Sequence, residues 1–152
     1  MKKIVIIISA VFVICIAFLV IFGNPIILKN RSDFGYAIKN ISTETIKLNE
    51  ITPFEWDIVY SFSPYTPKQE IENIIGFKSN HITETVNEGM IQLIFVRGNK
   101  VVCNIQGYSS NLGYSISLWS GEEKGHCQIR AEDDIAFLVE HKEDGIILLF
   151  LH

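Results

Sequence analysis

The chain has 152 residues and a mass of about 17.3 kDa, room for one domain of ordinary size. Apolar residues make up 48% of it and charged residues 20%, with 13 basic against 17 acidic side chains and a net charge of −4; a disordered polyelectrolyte, which lacks the apolar surface to offset backbone ordering, is excluded. Lys2 and Lys3 precede an apolar run, so the remainder carries 11 basic and 17 acidic residues, and nucleic acid is not an expected partner for a surface of that sign.

Residues 4–22 carry no charge, and Ser9 is their only polar side chain. As a helix the run spans about 28 Å, close to the hydrocarbon thickness of a bilayer. Gly23, Asn24 and Pro25 then end it. A cleaved signal peptide needs a shorter apolar core and small residues before the cut, whereas this run closes on Val20, Ile21 and Phe22. A lipoprotein needs a small residue before the modified cysteine, but Phe12, Val13 and Ile14 precede Cys15. The expected feature is an uncleaved transmembrane anchor over residues 1–23. A buried helix of a soluble protein is the competing explanation, and an all-round apolar helix would need protein on every side. Basic residues flank the run on both sides, so counting sets no orientation. The short basic start resembles an export signal and favours an extracytoplasmic domain.

Residues 24–44 are expected to form a juxtamembrane segment with a short helix over residues 34–38, and residues 45–152 the extracytoplasmic domain. Along residues 54–63, Phe54, Trp56, Ile58, Tyr60 and Phe62 alternate with Glu55, Asp57, Ser61 and Ser63, and only Val59 breaks the pattern. Period two predicts a half-buried strand with an aromatic inner face. Thr66, Pro67 and Gln69 then suit an N-cap, a first helical position and a capping box. Ile71, Ile74 and Ile75 give the helix one apolar face, and Gly76 its stop.

Past a polar stretch over residues 78–89, strands dominate. Residues 90–96 form an almost continuous apolar run, and Gly98-Asn99 fits a two-residue type II′ hairpin. Val101, Cys103 and Ile105 alternate with polar residues, as do Tyr114, Ile116 and Leu118, and Cys127, Ile129 and Ala131. Residues 135–140 and 146–151 read as a final hairpin. Consecutive strands with short turns and one or two helices predict an α+β fold with a mainly antiparallel sheet.

The segment Trp56-Asp57-Ile58-Val59-Tyr60-Ser61-Phe62-Ser63-Pro64-Tyr65-Thr66 resembles one in uncharacterised small bacterial membrane-anchored or lipoprotein-like proteins, with the pattern W-D-x-x-Y-x-F-x-P-Y-T before a short helix. The resemblance covers residues 56–76. It implies a bacterial envelope protein and carries no catalytic assignment. Aromatic anchors, a turn and a cap explain each position without a function. Asp57, an outward carboxylate beside Trp56, is the best functional candidate in the segment, against a merely solvated role.

Cys103 and Cys127 both fall on the apolar phase of their strands, which makes a disulfide between them a candidate outside the cytoplasm. The bland alternative is two buried thiols acting as small hydrophobes. Adjacent strand residues point to opposite faces, so His126 and Cys127 do not suit one zinc ion with His81 and Cys103, and no metal-ligand spacing is present. Glu132-Asp133-Asp134 lacks calcium-loop spacing. No cofactor is expected, and no nucleophile or phosphate-loop motif occurs. Trp119 follows Leu118 out of phase with the inner face, and is expected to point outward as a candidate contact. The expected function is that of a single-pass membrane protein whose domain binds another envelope protein. The alternatives are an envelope enzyme with an unrecognised site and an immunity-type inhibitor.

Overall fold

A computed structural model describes residues 4, 5, 7–9, 11–13, 24–118, 125–143 and 145–151. Most of the expected anchor, together with Trp119, lies outside them. No helix among the described residues is long and apolar enough to cross a membrane. The described part of the run is helical, and its seven apolar side chains are 55–66% exposed: Ile4, Val5, Ile7, Ile8, Val11, Phe12 and Val13.

The domain is α+β, with mainly antiparallel pairing and few helices. It opens with helix α1 (Pro25–Lys39). Asn24 is extended, its side-chain Oδ1 accepts the Ile26 N–H at 2.9 Å, and Pro25 takes the first helical turn. This is a standard capped start. The helix expected over residues 34–38 is longer, and the segment it lies in packs on the domain. Residues 24–44 belong to the folded domain, because Ile27, Phe34, Ile38 and Ile41 are buried at helical spacing.

After α1 come β1 (Thr45–Lys47), α2 (Leu48–Ile51), β2 (Ile58–Phe62) and α3 (Lys68–Ile75). Then follow β3 (Met90–Arg97), β4 (Lys100–Tyr108), the short α4 (Ser109–Leu112) and β5 (Tyr114–Ile116). The chain closes with β6 (His126–Arg130), a 3-10 turn, β7 (Ala136–Lys142) and β8 (Gly145–Phe150). The described residues form two sheets rather than one. The first has strand order β1-β7-β8-β5 and the second β4-β3-β2-β6. Every pair is antiparallel except β5 with β8. That parallel pair requires a very close approach. An added Cβ at Gly145, whose φ is +135°, would lie 2.3 Å from the Gly113 carbonyl oxygen, so only glycine fits there.

Two cores result. The larger is shared by both sheets, α1 and α2, and centres on Phe34, Phe95, Phe137 and Leu148. The smaller lies on the other side of the second sheet, where Ile71 and Ile75 of α3 cover Tyr60, Phe62, Ile94, Val96 and Val101. A sheet buried on both faces needs an apolar residue at almost every position, which explains the run over residues 90–96 and the exception at Val59. Val59 points into the larger core while Tyr60 and Phe62 point into the smaller. The single aromatic face expected for residues 54–63 is thus split. The strand begins only at Ile58, and Phe54 and Trp56, ahead of it, enter the larger core.

A bulge between Phe95 and Val96, opposite Val102, has a similar effect on β4: Val101 faces the smaller core and Cys103 the larger, despite equal parity. Helix α1 straddles the β4 edge. Ile27 enters the smaller core, while Phe34 and Ile38 enter the larger. Between them Asn30 Nδ2 donates to the Val102 carbonyl at 2.9 Å and Arg31 Nη2 to the Gln106 carbonyl at 3.2 Å. An edge covered in this way is closed to strand addition at those positions.

The start of α3 differs from expectation. Pro67, not Thr66, occupies the N-cap. Thr66 Oγ1 donates to the Ser63 carbonyl at 2.8 Å, and Glu84 Oε1 accepts the Lys68 N–H at 2.7 Å in place of a local cap. The polar stretch before β3 is laced to β4 by Asn104 and Gln106, whose amides donate to the carbonyls of His81 at 2.7 Å and Glu84 at 2.8 Å.

Candidate functional site

Trp56 is buried in the larger core, edge-on to Phe95 with ring centroids 5.5 Å apart. Asp57 is exposed but neither free nor merely solvated. Its Oδ2 accepts the Gly98 N–H at 2.6 Å, its backbone N–H donates to Val96 at 2.8 Å, and its carbonyl accepts from Ala131 at 2.9 Å. The carboxylate therefore pins the β3–β4 turn to the entry of β2, a structural role that uses one of its oxygens. Arg97 and Glu55 form an ion pair beside it.

Cys103 and Cys127 are both free thiols. They sit on β4 and β6, the two edges of the second sheet, with β3 and β2 between them. Three inter-strand spacings amount to about 14 Å, against the ~6 Å between Cα atoms that a disulfide needs, so of the two readings the structure has separate thiols and not the candidate disulfide. Inward phase put both on apolar faces, but the sheet order separates them. Burial pushes the Cys103 thiol up to about 12, with the charge of Arg31 opposing, and raises Cys127 as well. The Cys127 thiol donates to the Leu118 carbonyl at 3.0 Å. Neither is an activated thiolate. His126 stacks on Phe62 at 6.0 Å, on the β6 edge and away from Cys103. Among the described residues no three His, Cys, Asp or Glu side chains converge as a metal site would require.

Trp119 lies outside the described residues; Tyr114, Ile116 and Leu118 before it are buried as the inner phase predicts. Sequence reasoning missed Tyr65. This residue holds a left-handed backbone, φ 66°, in the turn between β2 and α3. A bulky side chain rarely adopts that region, and doing so costs on the order of 1–2 kcal/mol. Its N–H donates to the Thr85 carbonyl at 2.7 Å, and the turn is tied further by Thr66 to Ser63. The residue is 57% exposed. Val86, directly after the residue that accepts from Tyr65, is also largely exposed. The one signal available in the sequence was an aromatic residue in a turn bracketed by Pro64 and Pro67, where Gly, Asn or Asp is usual.

Open grooves line this framework among the described residues. One, beside α3, holds Lys68, Glu72 and Glu84, but these charges already serve the fold: Lys68 pairs with Glu72 at 3.8 Å, and Glu84 caps the helix. A second runs between α1 and the α4–β5 segment, and a third between α1 and the polar loop before β3. No family model matches the chain, and comparison with characterised proteins and with solved structures finds no match either.

Proposed function

We propose that the chain is a single-pass, membrane-anchored extracytoplasmic module that binds another envelope protein, with the Tyr65 turn as its contact point. The anchor reading is supported by seven apolar helical side chains that stand uncovered by the domain. Water is a poor solvent for such a stripe, and a bilayer is the solvent that suits it. Lys2 and Lys3 ahead of the run favour an extracytoplasmic domain. The observation that carries the binding reading is Tyr65: an exposed aromatic ring held in an unfavourable backbone conformation by a hydrogen-bonded turn. A strained, rigid position that packs nothing inside is a pre-organised one, and Tyr is enriched where interfaces concentrate their energy.

The test places a photo-crosslinking residue at position 65 or at position 99, in the β3–β4 turn, within the full chain in native membranes. A discrete adduct from position 65 and none from position 99 supports the proposal. No adduct at 65, or the same adducts from both positions, refutes it. Release of the chain from membranes by carbonate would remove the anchor.

A further inference from the structure

Building on the anchor reading, we propose that α1 lies along the bilayer surface and that its groove seats the anionic headgroup of a phospholipid on Arg31 and Lys39. The groove, about 450 Å³, is bounded by Leu28, Arg31, Tyr36 and Lys39 of α1 and by Asn111 and Tyr114 opposite. On α1 these positions follow one another at steps of three to five residues and form one flank of the helix, beside the buried stripe of Ile27, Phe34 and Ile38.

The charges on this flank are of one sign. No acidic residue bounds the groove, although the chain as a whole is acidic. Among the described residues neither Arg31 nor Lys39 forms an ion pair; Lys29, on the same helix, pairs with Asp33 instead. Arg31 is already oriented, because Nη2 donates to the Gln106 carbonyl at 3.2 Å and its other N–H groups remain available. Lys39 runs over Gly113, where an added Cβ would meet its Cε at 2.9 Å; the glycine leaves the path of that side chain open. Two oriented cations with a hydroxyl-bearing aromatic and an amide nearby match the charge and acceptors of a phosphate ester.

The occupant follows from the chain itself. The apolar run ends at residue 22, and α1 begins at Pro25. Asn24 is extended and caps the first turn of α1, so the helix has its own start there, two residues past the run, close enough to the surface to lie along it. Leu28 and Tyr36, 48% and 73% exposed, then face the layer where apolar and aromatic side chains of surface helices reside.

The experiment uses the full chain in nanodiscs, with lysine acetylation followed residue by residue by mass spectrometry. In discs containing about 30% phosphatidylglycerol, labelling of Lys39 should fall roughly fivefold relative to phosphatidylcholine discs, the loss expected when the site is about four-fifths filled. Lys29 is the reference for the general surface potential and should change far less. Arg31→Gln should abolish the protection of Lys39 while Cys103 stays inaccessible to alkylation, which reports an intact fold. Equal labelling of Lys39 in both discs, equal protection of Lys29 and Lys39, or protection that survives Arg31→Gln overturns the inference. So does protection in phosphatidylcholine discs on adding about 10 mM inorganic phosphate, which would make the site one for a free anion. Failure of the chain to float with phosphatidylcholine vesicles would instead refute the anchor, on which this inference rests.

Discussion

Replacing Phe34 with alanine separates a helix that belongs to the domain from one that merely links it to a membrane. Phe34 is fully buried, and its ring lies 5.2 Å from that of Phe95 and 6.3 Å from those of Tyr114 and Phe54. It thereby joins α1 to both sheets. Truncating a buried phenylalanine costs about 3–5 kcal/mol, the upper part applying where rigid neighbours cannot collapse into the space. Three aromatic neighbours, two on strands of different sheets and one in the loop before β2, argue for a value of about 4 kcal/mol. Domains of this size have roughly 5–15 kcal/mol in total, so the loss is a large share of it. The assay is urea unfolding of the full chain in detergent, followed by tryptophan fluorescence, with Tyr36→Ala as the control. Tyr36 lies on the same helix but is 73% exposed, so its truncation should stay within about 0.5 kcal/mol. If Phe34→Ala moves the midpoint by no more than Tyr36→Ala does, α1 is a tether and its packing as described is wrong.

Asp57→Ala should cost about 1 kcal/mol by replacing the carboxylate acceptor of the exposed Gly98 N–H with water, and Asp57→Asn, which keeps an acceptor, should recover most of that in the same unfolding assay. Without reductant, Cys103 and Cys127 should both remain alkylatable once the chain is unfolded; a species one cystine short of two free thiols would contradict the strand order. In the folded state Cys103 should be the slower to react, since it is wholly buried and Cys127 is not. Stability should also fall with alkali. The unfolded Cys103 thiol titrates near 9 and the folded one at about 12, so below pH 9 both states keep the proton and nothing changes. Above it only the unfolded state releases the proton, and stability drops by roughly 1 kcal/mol per pH unit toward pH 12, a slope that Cys103→Ala should reduce.

Local pattern carried the elements further than it carried their arrangement. The Gly98-Asn99 hairpin, the β7–β8 hairpin and the apolar face of α3 follow from nearest-neighbour chemistry, and each stands where periodicity put it. The α+β class follows from the same elements. Alternation failed where its premise failed. Residues 54–63 were expected to have one dry and one wet face, but β2 is central in a sheet covered on both sides, so Val59 and Tyr60 are equally buried against different neighbours. Residues 24–44 contain Ile27, Phe34 and Ile38 at helical spacing, a signal overshadowed by the more apolar run just before them. Cys103 and Cys127 show the same limit. Phase tells which way a side chain points but not which strand lies beside it, and strand order was not encoded at short range. The turn at Tyr65 was legible from Pro64 and Pro67 but its backbone was not, because a positive φ at a tyrosine arises from the bonds to Thr85 and across the turn rather than from the residue's own preference.

The capped start at Asn24 has a mechanical consequence once residues 4–22 lie in a bilayer. Only Gly23 and Asn24 separate the apolar run from a helix whose side chains hold both cores. Two residues of slack amount to about 7 Å. A compact domain of this length has a radius of gyration of about 14 Å, so its far side stands roughly 40 Å above the surface. So anchored, the domain would sweep a thin layer in two dimensions instead of searching the compartment as on a long flexible leash. A partner of the proposed Tyr65 contact would then have to come within that layer, which favours one that is itself embedded in the membrane or bound to it. Any tilt of the anchor, having almost no linker in which to dissipate, would be felt at Phe34 and Ile27 as a torque between the two halves of the core.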